Sequence, residues 1–269
     1  IDPNTGRLMT TAPFSLAQTF MGVPHRTEIG DAKAVVLGLP FDCGTHPQRV
    51  GSRLGPSAIR EQSLLLRAFD SVNGINPLEA LGVVDVGDAK VSPGELEASY
   101  AAIEAAVGAI AETRAVAVTL GGDGAIALPE MRALHRVYPD LVTVHIDAHT
   151  DAYPIEGYNT ATAFGRAAEE GLIDPTHSYQ VGMCGTTMLP GVAEYGRSIG
   201  YNVIPLAELL ERGIGKVFAE IRAHIGDRPV YLSYDMDFFD PSVAPGVCTP
   251  TWGGATSREG LAVLEACAG

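Results

Sequence analysis

LVTVHIDAHTD, at residues 141–151, is the stretch that decides the fold of this chain. Its first half is apolar and rich in β-branched residues, which is typical of a buried strand in a parallel sheet. Its second half ends that strand with Asp147, His149 and Asp151. Carboxylates at the end of a buried strand are costly to desolvate unless an opposite charge compensates them. The stretch therefore predicts a parallel α/β fold with a charged site at one strand end.

A second apolar run, at residues 230–234, ends in the same way with Asp235 and Asp237. Ligands of open α/β sheets bind at the carboxyl ends of the strands, so we expect the two acidic groups to meet. Four Asp and one His are ligands for hard cations, and two metal ions can share their bridging oxygens. The competing interpretation, in which these acids are only helix caps and turn residues, fits one such group better than two.

Short β-branched runs alternate with helical patterns along most of the chain, which predicts repeated βα units. The sequence Ser92-Pro93-Gly94-Glu95 offers an N-cap, a first-turn proline and a capping-box glutamate for one helix. Gly121-Gly122-Asp123-Gly124 follows another strand but lacks the Lys-Ser/Thr of a phosphate-binding loop. The candidate strands are residues 34–37, 82–86, 115–120, 141–146, 178–182, 201–204 and 229–234, and the candidate helices are residues 92–114, 129–137, 162–170, 191–199, 215–225 and 258–266.

Neither a repeat nor a linker divides the sequence, so we predict a single domain over residues 1–269. Residues 1–30 are punctuated by Pro and Gly and are expected to form an arm over the surface or a neighbouring subunit. The chain ends at Gly269 within a helical pattern. We therefore expect the C-terminal end to be truncated and a closing strand to be missing.

The amino-acid composition of the chain limits the classes of molecule that it is expected to bind. The formal net charge is −14, which argues against nucleic-acid binding and is compatible with a small cationic substrate. No apolar run reaches the length of a membrane span, so membrane insertion is not expected. The four cysteines are scattered, without a C-x-x-C pair, which indicates a reducing compartment and predicts a cytoplasmic protein.

Four segments together resemble the ureohydrolase superfamily of arginases, agmatinases and their relatives. Residues 51–60 are similar to the G-x-R-x-G-P-x-x-I-R segment of that superfamily, and residues 147–151 match its first metal motif. Residues 233–246 match its second metal motif, and residues 253–259 resemble the segment that faces the substrate. The resemblance implies an agmatinase-like chain with a three-layer arginase-like fold, in which helices cover both faces of a central, mostly parallel sheet.

The resemblance also implies a role for each acidic residue. Asp147 and Asp235 would bridge two divalent ions, His149 and Asp237 would complete the ligands of one ion, and Asp151 would bind the other. Mn²⁺ is the first expectation for such a ligand set, with Ni²⁺ as the alternative.

The activity implied by the resemblance is hydrolysis of a guanidino compound to urea and an amine, as in agmatinases, guanidinobutyrases and guanidine hydrolases. Asp237 would accept a proton from the attacking water. Glu259 would hold the planar guanidinium through charge-assisted hydrogen bonds. The superfamily assembles as trimers or hexamers, which is the oligomeric state expected for this chain.

Two positions depart from the pattern of the superfamily. Gly124 stands where a histidine ligand of the first metal is usual, and Thr160 stands where a histidine near the substrate is usual. Asn159 and Thr160 are the expected substrate-side residues of this altered loop. We considered His145 as a replacement, but expect it to be a satisfied core histidine, and we expect His46 to lie in a surface loop.

These departures leave two alternatives open. The chain would be a non-catalytic or metal-depleted subunit that pairs with an active homologous chain. Otherwise it would hydrolyse an N-substituted guanidine or a biguanide such as metformin, for which the altered loop reshapes the pocket.

Overall fold

The computed structural model of the chain describes residues 18–44, 46 and 48–268. Its strands are β1 (Ala34–Leu39), β2 (Val84–Asp88), β3 (Val116–Gly121), β4 (Val142–Ile146), β5 (Tyr179–Val181), β6 (Asn202–Ile204) and β7 (Val230–Tyr234). Its α-helices are α1 (Gly55–Ser63), α2 (Pro77–Ala80), α3 (Leu96–Ala111), α4 (Ala127–His135), α5 (Ala163–Glu169), α6 (Val192–Ser198), α7 (Leu206–Arg212), α8 (Ile214–Ile225) and α9 (Ser257–Cys267).

All hydrogen-bonded strand pairs are parallel and fall into two sheets with the orders β2-β1-β3 and β6-β5-β4-β7. Because parallel strands end at the same edge, β4 and β7 bring their following loops together. Their register pairs Ile146 with Tyr234, so the two acidic groups begin at the same level of the sheet.

Alternation along the strands explains why helices cover both faces of the sheets, as predicted. Val35, Leu37 and Leu39 of β1 pack into the large core formed with α3 and α4, whereas Ala34 and Val36 pack into a smaller cluster on the other face. In β4, residues 142, 144 and 146 pack against α7, α8 and α9. The result is a three-layer α/β fold in which β1 and β4 are buried throughout, whereas β3 and β7 retain exposed residues.

Glu130 of α4 connects the two sheets. Its buried carboxylate accepts a hydrogen bond of 2.6 Å from the Tyr231 hydroxyl of β7 and another from Thr119 of β3. Since Thr119 and Tyr231 belong to different sheets, β3 and β7 lie at the facing edges of those sheets. Burial raises the pKa of Glu130 to about 7, despite the two hydrogen bonds.

Helix α3 begins later than the capping signal predicted. Gly94 has a φ of +83°, and the Glu95 amide donates to the Ser92 carbonyl at 3.0 Å, so residues 92–95 form a turn. The Ser99 hydroxyl bonds the backbone of Ser92 in place of a cap, and the helix starts at Leu96. The predicted Ser92 N-cap is therefore wrong. Helices α1, α2 and α7 were not among the predicted elements.

The segment at residues 51–60 serves the fold through its arginine. Arg60 is buried and binds both carboxylate oxygens of Asp85, at 2.8 and 2.9 Å, and one oxygen of Asp88 at 2.5 Å. Such a bidentate pair fixes orientation as well as charge. A Cβ on Gly38 would lie 1.9 Å from the Asp88 carboxylate, which explains the glycine in β1. Arg60 thus joins α1 to the end of β2.

Residues 18–30 of the predicted arm lie against the same chain. The Phe20 amide donates to Asp85, and the Met21 amide donates to the Ser63 hydroxyl at 2.7 Å. Residues 1–17, which carry the rest of the predicted arm, lie outside the described residues. Within the part that the structure describes, no helix is long and apolar enough to cross a membrane.

Candidate metal centre

The loop after β4 folds its acidic residues back towards the strand end. Asp147 is 2% exposed, and its Oδ1 accepts a hydrogen bond of 2.6 Å from the His149 amide. Asp151 is buried and has a φ of +45°, a left-handed conformation that is uncommon outside glycine. This turn places Asp147, His149 and Asp151 around one point instead of along an extended strand.

The loop after β7 reaches the same point. The Asp235 amide donates to the Ile146 carbonyl of β4 at 2.8 Å, which joins the two strand ends. The Asp235 carboxylate accepts from the Asp237 amide at 2.9 Å and caps the single helical turn at Met236–Phe238. The expectation that the two acidic groups meet at one edge of the sheet is confirmed.

The imidazole of His149 lies between two carboxylates. Its Nδ1 is 3.3 Å from Asp147 Oδ1 and 3.2 Å from Asp237 Oδ2. The possible ligand atoms of these three residues all lie within 4.8 Å of one another. A second group of the same size consists of His145, Asp147 and Asp151. Asp147 belongs to both groups, which is the placement expected of a residue shared by two ions.

The charges of the cluster are unbalanced. Burial raises the pKa of Asp151 well above its ordinary value, and the negative charge of Asp147 adds to this effect. Burial and the charge of Asp237 raise the pKa of Asp235 in the same way. Burial lowers the pKa of His149, but hydrogen bonds to Asp147 and Asp237 outweigh it and raise that pKa to about 12. One imidazolium does not compensate four crowded carboxylates, whereas divalent cations do. The residues present therefore fit a metal centre.

His145 is in direct contact with the cluster. Its Nε2 is 2.8 Å from Asp147 Oδ2, and its ring stacks on Phe164 with a centroid distance of 3.8 Å. A carboxylate can only accept, so Nε2 of a neutral ring carries the proton. Nδ1 is buried without a hydrogen-bond partner among the described residues. The description of His145 as a satisfied core histidine is therefore wrong, and the ring orients Asp147.

The loop at residues 159–162 packs on the loop that carries Gly124. The Thr160 hydroxyl donates to Asp123 Oδ1 at 2.5 Å. The other Asp123 oxygen accepts from the Cys43 amide at 3.1 Å. Asn159 Oδ1 is buried without a partner in the described part of the chain, so it is an acceptor available to a ligand. Asn159 and Thr160 thus belong to one loop, but the Thr160 hydroxyl has a hydrogen-bond partner and Asn159 Oδ1 has none among the described residues.

Glu259 occupies the first turn of α9. Its Oε2 accepts hydrogen bonds from the Thr256 amide at 2.7 Å and from the Thr256 hydroxyl at 2.8 Å. Among the described residues, the bonds of this carboxylate go to Thr256 and not to the acidic cluster. Its substrate-binding role stays a prediction, and the structure assigns it a capping role in addition.

Thr249 was missed at the sequence level. Its hydroxyl donates to Asp237 Oδ2 at 2.8 Å. The second metal motif ends in a Pro-rich loop that leads to Thr249, so distance from the motif concealed the contact.

His46 accepts hydrogen bonds from the backbone amides of Gln48 and Arg49 and so stabilises its own loop, in line with the expected surface position.

Known proteins are similar to this chain in sequence and in overall fold. The chain is 35% identical to proclavaminate amidinohydrolase of Streptomyces clavuligerus over 254 residues, which cover 93% of this chain and 80% of that protein. A solved structure of that enzyme superposes with a TM-score of 0.87 at 34% identity, covering 94% of this chain and 84% of the other. Guanidinopropionase of Pseudomonas aeruginosa is 36% identical over 260 residues, which cover 95% of this chain and 81% of that protein.

An agmatinase of Edwardsiella ictaluri is 37% identical over 240 residues, covering 88% of this chain and 76% of that protein. The sequence profile described as the arginase family matches residues 32–269. That match spans the strands, both acidic groups and the helix that carries Glu259. The chain therefore belongs to the arginase family, and the resemblance seen in its motifs is confirmed.

Proposed function

We propose that this protein hydrolyses a small cationic guanidino compound to urea and an amine, using divalent metal ions. The ions would be held by Asp147, His149, Asp151, Asp235 and Asp237. The observation that carries the proposal is the imidazole of His149 between the carboxylates of Asp147 and Asp237, at the joined ends of β4 and β7. Membership of the arginase family supports the reaction class.

The reaction adds one water to the guanidinium carbon and breaks one carbon–nitrogen bond. The oxygen of water stays on carbon as the carbonyl of urea, and both protons of water go to the nitrogens of the products. An alkylguanidinium and water thus give urea and an alkylammonium ion, with charge conserved. Divalent ions, when bound, supply Lewis acidity and lower the pKa of water to near neutrality.

Asp237 is the proposed proton acceptor for the attacking water. Its Oδ1 accepts weakly from the Ala148 amide at 3.4 Å, and its Oδ2 accepts from Thr249 at 2.8 Å. These bonds from two loops hold the carboxylate in one orientation. A proton received there can pass to the leaving amine, which needs it to depart as a stable product.

Recognition of the guanidinium falls to residues at the mouth of the site. Asn159 offers a buried oxygen without a partner, which suits an N–H of a guanidinium. Glu259 would contribute its Oε1, because Oε2 is used by Thr256. Thr160 would contact the substrate through its methyl group, since its hydroxyl is bound to Asp123.

Mn²⁺ is the proposed ion, because carboxylates with a minority of imidazole ligands suit it, and Ni²⁺ is the alternative to test beside it. A trimer or hexamer in the cytoplasm remains the expected state of the protein. Sedimentation of the purified chain, alone and mixed with a homologous chain, measures the assembly directly.

A second candidate is a non-catalytic subunit, and the Gly124 and Thr160 positions favour it. Gly124 supplies no ligand, and Thr160 has no group that titrates near neutral pH to shuttle a proton. In this case the protein would bind metal poorly and release no urea alone. It would support activity only when mixed with an active homologous chain.

The test combines metal analysis with product analysis on the full chain. The protein is stripped with EDTA, reloaded with Mn²⁺ or Ni²⁺, and assayed for urea and amine from agmatine, guanidinopropionate, guanidinobutyrate, arginine, an N-substituted guanidine and a biguanide. We expect equimolar products from at least one guanidino compound in the loaded protein only. Asp237→Asn should abolish product formation. Asp227→Asn should not change it, because Asp227 is an exposed acid that precedes β7, whereas the cluster lies at the other end of that strand.

Failure to bind either ion would contradict the proposed function. Bound metal without any product, with activity restored by a homologous chain, would favour the second candidate. Product from the biguanide or the N-substituted guanidine alone would identify the atypical substrate class.

A further inference from the structure

A side chain at residue 124 would face the part of the candidate metal centre that contains Asp151. A Cβ placed on Gly124 would lie 3.3 Å from Asp151 Oδ2. Any longer side chain at this position would therefore begin next to the carboxylate of Asp151. The absence of a side chain removes a side-chain donor from that side of the cluster.

The space beside Gly124 is occupied by Thr160. The same Cβ would lie 2.8 Å from the Thr160 Cγ2 methyl and 3.7 Å from its Cβ. A carbon–carbon distance of 2.8 Å is well inside van der Waals contact, so the methyl excludes a side chain at residue 124. The two positions that depart from the family pattern are thus in direct contact.

The orientation of Thr160 is held by a hydrogen bond. Its hydroxyl donates to Asp123 Oδ1 at 2.5 Å, and that oxygen also accepts from the Ala125 amide at 2.9 Å. Asp123 is itself buried and bonds Cys43 through its other oxygen. A threonine side chain has few rotamers, so fixing the hydroxyl also fixes the methyl against Gly124.

We propose that Thr160 is a positioning residue that fills the ligand space beside Gly124, so that the chain binds one divalent ion tightly on the His149 side and lacks a tight second ion on the Asp151 side. This inference rests on the metal-dependent function proposed above. It joins the two departures into one structural change, since a side chain at residue 124 would meet the Thr160 methyl.

Metal stoichiometry tests the inference with a readout other than activity. Equilibrium dialysis against Mn²⁺, followed by elemental analysis, should show one tight ion per wild-type chain. Gly124→His combined with Thr160→Ser should bind a second ion at least about tenfold more tightly than wild type does. Serine keeps the hydroxyl bonded to Asp123 but removes the methyl, so the new imidazole can enter.

Two matched variants control for the side chain at residue 160. Gly124→His alone, and Gly124→His with Thr160→Val, retain a methyl in the space and should not gain the second ion. Two equally tight ions in the wild-type chain, or an equal gain in the single Gly124→His variant, would overturn this inference and leave the proposed function standing. A chain that binds no ion at all would overturn both.

A metal-free measurement tests the contact itself. In EDTA, Gly124→Ala should lower the Tm by about 2–4 °C, because its Cβ meets the Thr160 methyl. The same substitution in a Thr160→Ser background should leave the Tm nearly unchanged. Equal losses in the two backgrounds would show that residues 124 and 160 are not coupled, and would overturn the packing on which the inference depends.

Discussion

The two sides of the candidate metal centre share Asp147 but differ in what surrounds it. On the His149 side, Asp147, His149 and Asp237 alternate carboxylate with imidazole, and Thr249 orients Asp237. On the Asp151 side, a buried carboxylate faces Gly124, and Thr160 fills the adjacent space. We refer to these regions as the His149 side and the Asp151 side.

From this difference we expect the two sides to bind an ion unequally, although both contain carboxylates. On the His149 side, a bridging imidazole separates the carboxylates and supplies a neutral donor once metal displaces its proton. On the Asp151 side, the imidazole of His145 is bonded to Asp147 and Gly124 contributes no side-chain donor. Burial and the charge of Asp147 raise the pKa of Asp151, so protons compete with metal for this carboxylate. Donor variety and charge balance distinguish the two sides.

The largest expected effect comes from Asp237→Asn, which removes a ligand from the His149 side. We expect Mn²⁺ affinity to fall by at least about 100-fold and urea release by at least about 10²-fold. Calorimetric titration and a product assay measure the two changes, and Asp227→Asn is the matched control. Metal affinity that survived this substitution would remove the His149 side as the main binding region.

His145→Phe should have the next largest effect, because it removes the Nε2 bond to Asp147 while retaining a ring that stacks on Phe164. Loss of a group that orients a ligand is expected to weaken Mn²⁺ binding by about 10–100-fold. His145→Gln keeps a donor and should recover part of the loss. Equal affinities in the Phe and Gln variants would show that His145 contributes only packing.

Asp151→Asn should affect the tight ion less, reducing its affinity by less than about tenfold. Asparagine tolerates the left-handed backbone of residue 151, so the substitution tests the carboxylate and not the fold. The comparison with Asp237→Asn is direct, because both variants replace one carboxylate by an amide. A loss as large as that of Asp237→Asn would erase the distinction between the two sides.

The smallest expected effect on metal binding is that of Glu130→Gln, which serves as a reference buried acid. The pKa of Glu130 is raised to about 7 from an ordinary 4.5 by burial, so the folded state favours its protonated form. Its contribution to the free energy of unfolding is therefore complete below pH 4.5 and is lost as pH rises through about 7.

Glu130→Gln stays neutral and should flatten the fall in Tm between pH 5 and pH 8 in EDTA, without changing Mn²⁺ affinity. Thermal melts of this variant and of the wild type across the same range separate the pH dependence of Tm due to Glu130 from that due to the carboxylates of the cluster. An unchanged fall in Tm would show that Glu130 does not titrate in this range.

The sequence predicted correctly those elements whose signal lies within a few neighbouring residues. The strand before Asp147 and the strand before Asp235 were both predicted from short apolar runs, and their β-branched content excluded helices. The predicted start of α3 was wrong because Gly94 adopts a positive φ, so the residues of the capping signal form a separate turn before the helix. The contact of Thr249 with Asp237 was missed because nothing in a loop sequence indicates which carboxylate a hydroxyl will reach.

Residue types and their spacing were sufficient to identify the strand-end acids, the two altered positions and the family to which the chain belongs. Only the tertiary structure showed that His145 bonds Asp147, that Glu259 caps its own helix and that the Thr160 methyl lies against Gly124. The physical reason is the separation along the chain over which each effect acts. Residue type and strand periodicity act over a few neighbouring positions, whereas the bond between Asp123 and Thr160 joins loops 37 positions apart, and packing of the whole fold brings them together.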